Sequence, residues 1–392
     1  MAKLIDITGK ALSGEWGSDD ESGSGIPVLR TTNFTNEGVV NYNNVVTRII
    51  TKKSIEEKYL RPGDIIIEKS GGSDKQPVGR VIYYDGPENT YLFNNFTGLL
   101  RVKNKSRWHP RYVFYSLYSN YRKGGTREYE NKTTGLHNLK TDAYVSRYEV
   151  ADATYIQQKQ ICEHLDIIAG VIRLRQQELQ KLDELIKARF LEMFGNPADN
   201  SRTDKVELSE VCEKITDGEH GSVARVPIGH PFLNAKHVLK NGRIDWDTIT
   251  YVGDEDHQRI YKRCNPVEGD ILLTTTGTIG NVAIMPKSEE VSMDRGITLL
   301  KINRQKVTSE FVAELLKQPS IQTEMGVNIH ASAIGHLFMN KVKKLPAILP
   351  QLERQVEFTD FVKQVDKSKA QVQKALDETQ LLFDSLMQEY FG

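Results

Sequence analysis

Three cysteines are spread over 392 residues, at Cys162, Cys212 and Cys264. None forms a C-x-x-C pair, so neither a disulfide framework nor a thiolate zinc site is encoded, and a reducing, cytoplasmic compartment is expected. Net charge is missing too, with 52 Lys+Arg against 52 Asp+Glu. Such a chain does not coat a polyanion through bulk charge, and any such partner must be met by local patches. No run reaches the ~18 apolar residues of a membrane span, and residues 1–6 lack the apolar stretch of a signal peptide. The G-x-x-x-x-G-K-[ST] phosphate loop, the G-x-S-x-G elbow and H-E-x-x-H are all absent. Gly277-Thr278-Ile279-Gly280 lacks the third glycine and the downstream acid of a dinucleotide fingerprint, and reads as a tight turn. The nine histidines do not cluster at ligand spacing, so hydrogen-bonded or exposed histidines are expected rather than metal ligands. These gaps point to a chain with no cofactor, no metal and no catalysis of its own.

What is present is a duplication. Pro62-Gly63-Asp64 precedes the apolar run Ile65-Ile66-Ile67, and Glu268-Gly269-Asp270 precedes Ile271-Leu272-Leu273. Pro27-Val28-Leu29-Arg30 pairs with Pro231-Phe232-Leu233-Asn234, and Lys159-Gln160-Ile161 with Arg354-Gln355-Val356. Each half ends in a long charged stretch closing on Phe-Gly. Short β-rich runs at 45–50, 64–68, 79–84 and 99–102, with a helix over 111–121, describe a mixed α/β module. Runs at 271–274, 281–285 and 298–302, with a helix over 311–317, repeat it. Residues 14–25, rich in Gly, Ser and Asp, read as a mobile loop.

The two long stretches carry a 3.5-residue period. In the first, Ile161, Leu165, Ile168, Ile172, Leu179, Leu182, Ile186 and finally Met193 form an apolar seam, with Arg175 and Arg189 filling its two gaps. In the second, the seam is Val362, Val365, Val372, Leu376, Phe383 and Leu386, interrupted by Lys369 and Thr379. This is coiled-coil patterning. Forty helical residues make a rod of roughly 60 Å, and Gly195-Asn196-Pro197 stops the first one. A rod of this kind is stable only when its stripe is buried. The two copies are therefore expected to pack on each other as an antiparallel coiled coil. Surface helices that each cover their own module are the alternative.

Residues 101–150 hold eleven Lys/Arg against four acids, with Tyr112, Phe114, Tyr115, Tyr118, Tyr121 and Tyr129 among them, which marks either a basic patch or a solvated helix face over a buried aromatic stripe. The loops carry the remaining chemistry. Lys69, Ser70, Ser73 and Lys75 follow the first Gly-Asp strand, and Thr275, Thr276 and Thr278 follow the second. Thr133, His137 and Asn138, and then His330, Ser332 and His336, precede the two rods. Hydroxyl, amide and cationic tips on a glycine-rich backbone suit phosphates and base edges. Arg30 and Lys236 are candidate phosphate partners. The two copies keep their scaffold residues and differ at these tips.

The whole chain resembles the specificity subunits of Type I restriction-modification systems. The resemblance rests on the duplicated module, the Gly-Asp-Ile strand with Thr-Gly-Thr-Ile-Gly at 269–280, and Leu349-Pro350-Gln351-Leu352-Glu353-Arg354-Gln355. It rests also on residues 177–185 running into Phe190-Leu191-Glu192-Met193-Phe194-Gly195. It implies an α+β architecture of two similar target recognition domains, 1–153 and 197–348, separated by spacer helices at 154–196 and 349–392, with pseudo-two-fold symmetry. It implies a non-catalytic reader of a bipartite, asymmetric double-stranded DNA site. Two methyltransferase and two restriction/translocase subunits would join it, and S-adenosylmethionine, ATP and Mg would reside on them alone. The alternative is a DNA-modifying enzyme with a degenerate methyltransferase or nuclease site in one module. The first glycine loop lacks the Thr-Ile-Gly sequence, and 151–154 lacks the Pro-Leu entry found at 350–352.

Overall fold

The computed structural model describes residues 1–52, 55–133, 136–329 and 335–392. Compactness divides the chain into unit 1, Met1–Arg175 with Ala375–Gly392, and unit 2, Gln176–Lys374. Both boundaries fall inside the long helices Tyr155–Phe194 and Leu352–Phe391, so each unit includes part of both.

Unit 1 is built on a four-stranded antiparallel sheet in the order Leu12–Ser13, Thr97–Leu100, Asp64–Glu68, Val81–Tyr84. Ile65, Ile66 and Ile67 are all fully buried, so this strand is covered on both faces, which explains its unbroken apolar run. A second sheet orders Ser18–Asp19, Val46–Ile49, Ile26–Leu29 and Leu92–Phe93, with the last pair parallel. The 14–25 segment, expected as a mobile loop, thus contributes a strand paired to Val46–Ile49. Unit 2 repeats the first sheet as Cys212–Asp217, Ile297–Ile302, Ile271–Thr274, Val282–Ile284. It repeats the second as Thr250–Val252, His230–Leu233, Ser292–Met293. The expected strand at 99–102 is Thr97–Leu100, matching Ile297–Ile302 in the other copy. A short pair closes each module: Ala2–Lys3 with Glu149–Val150, and Lys205–Glu207 with Pro346–Ile348.

The Gly-Asp signature is a scaffold device. Gly63 and Gly269 have φ of 96° and 85°, a region that side chains rarely occupy. The following aspartate closes the turn by accepting from the backbone, Asp64 from Arg61 N and Asp270 from Val267 N. Each then binds a cation from the neighbouring strand. Asp64 takes Arg101 at 2.6 Å and Asp270 takes Lys301 at 2.6 Å.

Within each unit the long helices run antiparallel and their seams are buried or half-buried. In unit 1, Arg175 donates to Ala375 O and Thr379 Oγ1, and His164 lies 3.4 Å from the Tyr390 hydroxyl. In unit 2, Lys369 binds Asp183 at 2.6 Å and Arg189 binds Glu357 at 3.1 Å. The polar seam residues are therefore paired across the seam. The helices also enter the module cores. Cys162, Leu165, Ile172, Phe383 and Met387 share a cluster with Tyr112 and Tyr115 of the Pro110–Arg122 helix. Phe190, Phe194 and Phe358 pack with Phe311 of the Ser309–Leu316 helix, with ring centroids 5.0–5.5 Å apart. The two packing modes expected as alternatives thus coexist.

One buried glutamine per unit fixes this docking. Gln158 Oε1 accepts from His109 N, and its Nε2 donates to Arg107 O and Ala153 O. Gln355 Oε1 accepts from Thr308 N, and its Nε2 donates to Lys306 O and Pro350 O. The equivalent of Gln355 is therefore Gln158, not the Gln160 that the sequence alignment pairs with it.

Candidate nucleic-acid interface

In unit 1 the loop after Asp64–Glu68 is more ordered than its glycines suggest. Ser70–Gly72 is a strand, paired with Leu136–Leu139, which pairs in turn with Glu130–Thr133. Lys69 N donates to Phe96 O and Lys69 O accepts from Leu139 N. The Lys69 side chain bonds Ser13 Oγ at 2.9 Å, and burial holds its ammonium below the ordinary lysine value. Ser70 and Asn138 face one another in this register, and Ser73 and Lys75 are exposed at the tip, where Ser73 Oγ accepts from Gln76 N.

His137 is placed differently from the expectation. It is buried, with Nδ1 3.1 Å from Glu130 Oε2 and Nε2 3.6 Å from Asp74 Oδ1. Both ring nitrogens face carboxylates of the fold, so it holds the loop instead of tipping it. Thr133 lies in the Glu130–Thr133 strand, and its side chain falls outside the described residues. Arg30 is half-buried, and its Nη2 donates to Asn44 O.

Unit 2 builds the same corner from neutral groups. Thr275 N donates to Gly296 O and Thr275 O accepts from Leu337 N, which makes Thr275 the equivalent of Lys69 and aligns His336 with Asn138. Thr275 is buried, its hydroxyl 3.3 Å from that of Thr298, so it too is framework and not a tip. Thr276 Oγ1 lies 2.7 Å from His336 Nδ1, across a bridge joining the two residues. Burial holds the His336 imidazole below its usual value, with Arg295 adding to the effect. Thr278 is exposed and donates to Ala235 O, beside exposed Lys236. His330 and Ser332 lie outside the described residues.

Several residues escaped sequence reading. Glu68 is buried and forms a two-point ion pair with Arg80, through Nε at 3.2 Å and Nη2 at 3.0 Å. Arg80 donates onward to Phe34 O and Thr31 O. In unit 2 the matching positions are Thr274 and Asn281. Thr274 Oγ1 accepts from Asn281 N, and Asn281 Nδ2 donates to Val238 O. The available signal was a charged residue closing a wholly apolar strand. Phe96 in unit 1 and Phe338 in unit 2 are 52% and 47% exposed beside these corners, apolar surfaces suited to a thymine methyl. Among the described residues no His/Cys/Asp/Glu group could hold a metal ion. No described helix is long and apolar enough to cross a membrane. The cysteines are unpaired, and burial pushes each thiol to about 12.

Residues 200–379 match the family model of the Type I restriction modification DNA specificity domain. The EcoBI specificity subunit of Escherichia coli, a Type I restriction enzyme component, is 25% identical over 157 residues, covering 39% of this chain and 33% of that protein. That match spans about a third of the relative's length. A chain of a type I R-M system, solved for its complex assembly and conformational transition, superposes with a TM-score of 0.53 at 14% identity, covering 100% of this chain and 96% of that one. The S subunit of a Type I restriction-modification system from M. genitalium gives 0.51 at 15% identity, covering 100% and 95%. Residues 200–379 thus resemble the Type I restriction modification DNA specificity domain, and the chain over its full length has the fold of a type I restriction-modification S subunit.

Proposed function

We propose that the chain is the DNA-reading specificity subunit of a type I restriction-modification complex, acting in the cytoplasm. It reads a bipartite, asymmetric double-stranded site, one half per unit, and carries no chemical step itself. Methyltransferase and restriction/translocase subunits assemble on it, two of each, and bring S-adenosylmethionine, ATP and Mg.

The observation that carries this reading is one frame repeated with different chemistry at the same corner. Unit 1 presents Ser70, Ser73 and Lys75 above a Glu68–Arg80 pair, and unit 2 presents Thr276, Thr278 and Lys236 above Thr274–Asn281. Fixed frames hold side chains at defined distances from a groove, and different donors and acceptors on them select different bases. A reader with two such corners recognises two unlike half-sites.

Methylated-adenine mapping in cells that carry the chain with its partner subunits tests this. Two specified halves with a fixed gap are expected. Substituting Ser73 and Lys75 should alter the preference in one half only, and Thr278→Val in the other half only. Inserting four residues into either long helix should change the permitted gap and leave the bases alone. Methyl transfer from labelled S-adenosylmethionine to DNA by the purified chain without partners would overturn the non-catalytic assignment.

A further inference from the structure

A cleft of about 340 Å³ in unit 1 lies beside the reading corner and is lined by Lys75, Tyr121, Arg122, Lys123 and Arg127. Among the described residues no carboxylate lines it. Arg122 is neutralised by Asp384 at 2.6 Å. Among the described residues, Lys75, Lys123 and Arg127 form no ion pair with a carboxylate. Lys123 donates to the backbone carbonyl of Phe391 and Arg127 to that of Asp74. Three like charges around one concavity repel one another, so an anion entering the cleft is stabilised by all three.

The cleft is continuous with the reading loop. Arg127 holds the backbone at Asp74, and the next residue, Lys75, belongs both to the loop tip and to the cleft wall. The helix Pro110–Arg122 ends here, and its C-terminal carbonyls account for one cation at most. They do not account for Lys75 or Arg127, which come from other segments. Unit 2 differs at the corresponding helix end. The matching helix ends Leu315-Leu316-Lys317, and Lys317 is neutralised by Glu314 at 2.7 Å.

We propose that this cleft binds a phosphodiester of the DNA backbone flanking the half-site read by unit 1, and that Lys123 and Arg127 are its non-specific anchors. The assignment rests on the proposed DNA-reading function. It makes DNA binding electrostatically lopsided, with unit 1 carrying backbone contacts that unit 2 does not have.

The test uses the full chain in complex with its methyltransferase subunits and a duplex holding the mapped site. Affinity is measured from about 50 to 200 mM salt. Lys123→Gln with Arg127→Gln is expected to weaken binding roughly tenfold and to flatten the log–log salt slope by about 2, in line with two lost phosphate contacts. The ratio of specific to non-specific affinity should stay the same. Lys317→Gln in unit 2 is the control and should change neither quantity. Thermal unfolding of the double variant, expected to match that of the parent, separates lost binding from lost folding. A parent complex that binds with high affinity alongside a double variant of unchanged slope overturns the cleft assignment alone. A parent complex with no salt-sensitive DNA binding overturns the underlying function instead.

Discussion

The two units solve one problem with different chemistry at the base of the reading loop. Unit 1 closes it with a buried ion pair, Glu68–Arg80, and unit 2 with a neutral pair, Thr274–Asn281. Both pairs brace the same neighbouring segment, through Phe34 O in one case and Val238 O in the other. A buried ion pair contributes little net stability, because desolvation offsets most of the attraction, but losing one partner strands a charge. A neutral pair has less to lose. The frame is therefore indifferent to which pair is used, while tolerance of single changes differs sharply between the copies.

That difference can be broken directly. Arg80→Met should destabilise unit 1 by about 3–5 kcal/mol in urea unfolding, because Glu68 then has no counter-ion. Importing the other copy's solution, Glu68→Thr with Arg80→Asn, should recover most of the loss. A double variant as unstable as Arg80→Met would show that the pairs are not interchangeable. The glutamine locks should behave alike in both units. Gln355→Leu leaves one backbone N–H and two carbonyls without the glutamine's bonds, and Gln158→Leu leaves one N–H and the Arg107 carbonyl so, Ala153 O keeping Arg107 Nη1; each should cost about 2–3 kcal/mol by the same measurement. Asn281→Ala, the counterpart of Arg80→Met, should cost only about 1–2 kcal/mol.

The smallest expected effect concerns pH. His237 in unit 2 is buried, accepts from Asn234 N at Nδ1 and lies 3.2 Å from Thr248 O at Nε2. Burial holds its pKa below the ordinary 6.5. The unfolded chain therefore binds its proton first as pH falls, and the stability of unit 2 declines below about 6.5. Unit 1 has Asn33 at this place, making the same cap to Arg30 N, with nothing to titrate. His237→Asn should remove this part of the acid sensitivity in pH-dependent thermal unfolding, and Asn33→His should transfer it to unit 1.

Much of the architecture was written in local pattern. The apolar runs behind Gly-Asp are strands because Ile65–Ile67 and their counterparts are buried on both faces, and period 3.5 marked the seams because helix pairing demands it. The polar seam residues Arg175, Lys369 and Thr379, weak points by composition, found partners across the seam. The loop corners were less legible. His137 and Thr275 carry side chains typical of a binding tip, yet whether they point out or in depends on pairings with strands distant in sequence. Arg80 and Glu68 are twelve positions apart and become one object only when Asp64–Glu68 and Val81–Tyr84 pair. The cleft around Lys123 assembles from three segments, and only its net charge was visible beforehand.

The way the long helices are shared gives the molecule an order of birth. Unit 2 is one uninterrupted stretch, Gln176–Lys374, whereas unit 1 needs Ala375–Gly392 to finish. Phe383 and Met387 belong to the core of a module whose other residues left the ribosome first. Throughout synthesis unit 1 waits with an apolar flank uncovered, and the later-made unit 2 can complete its core before it. Truncation within Ala375–Gly392 therefore strikes hardest at the module built from Met1–Arg175.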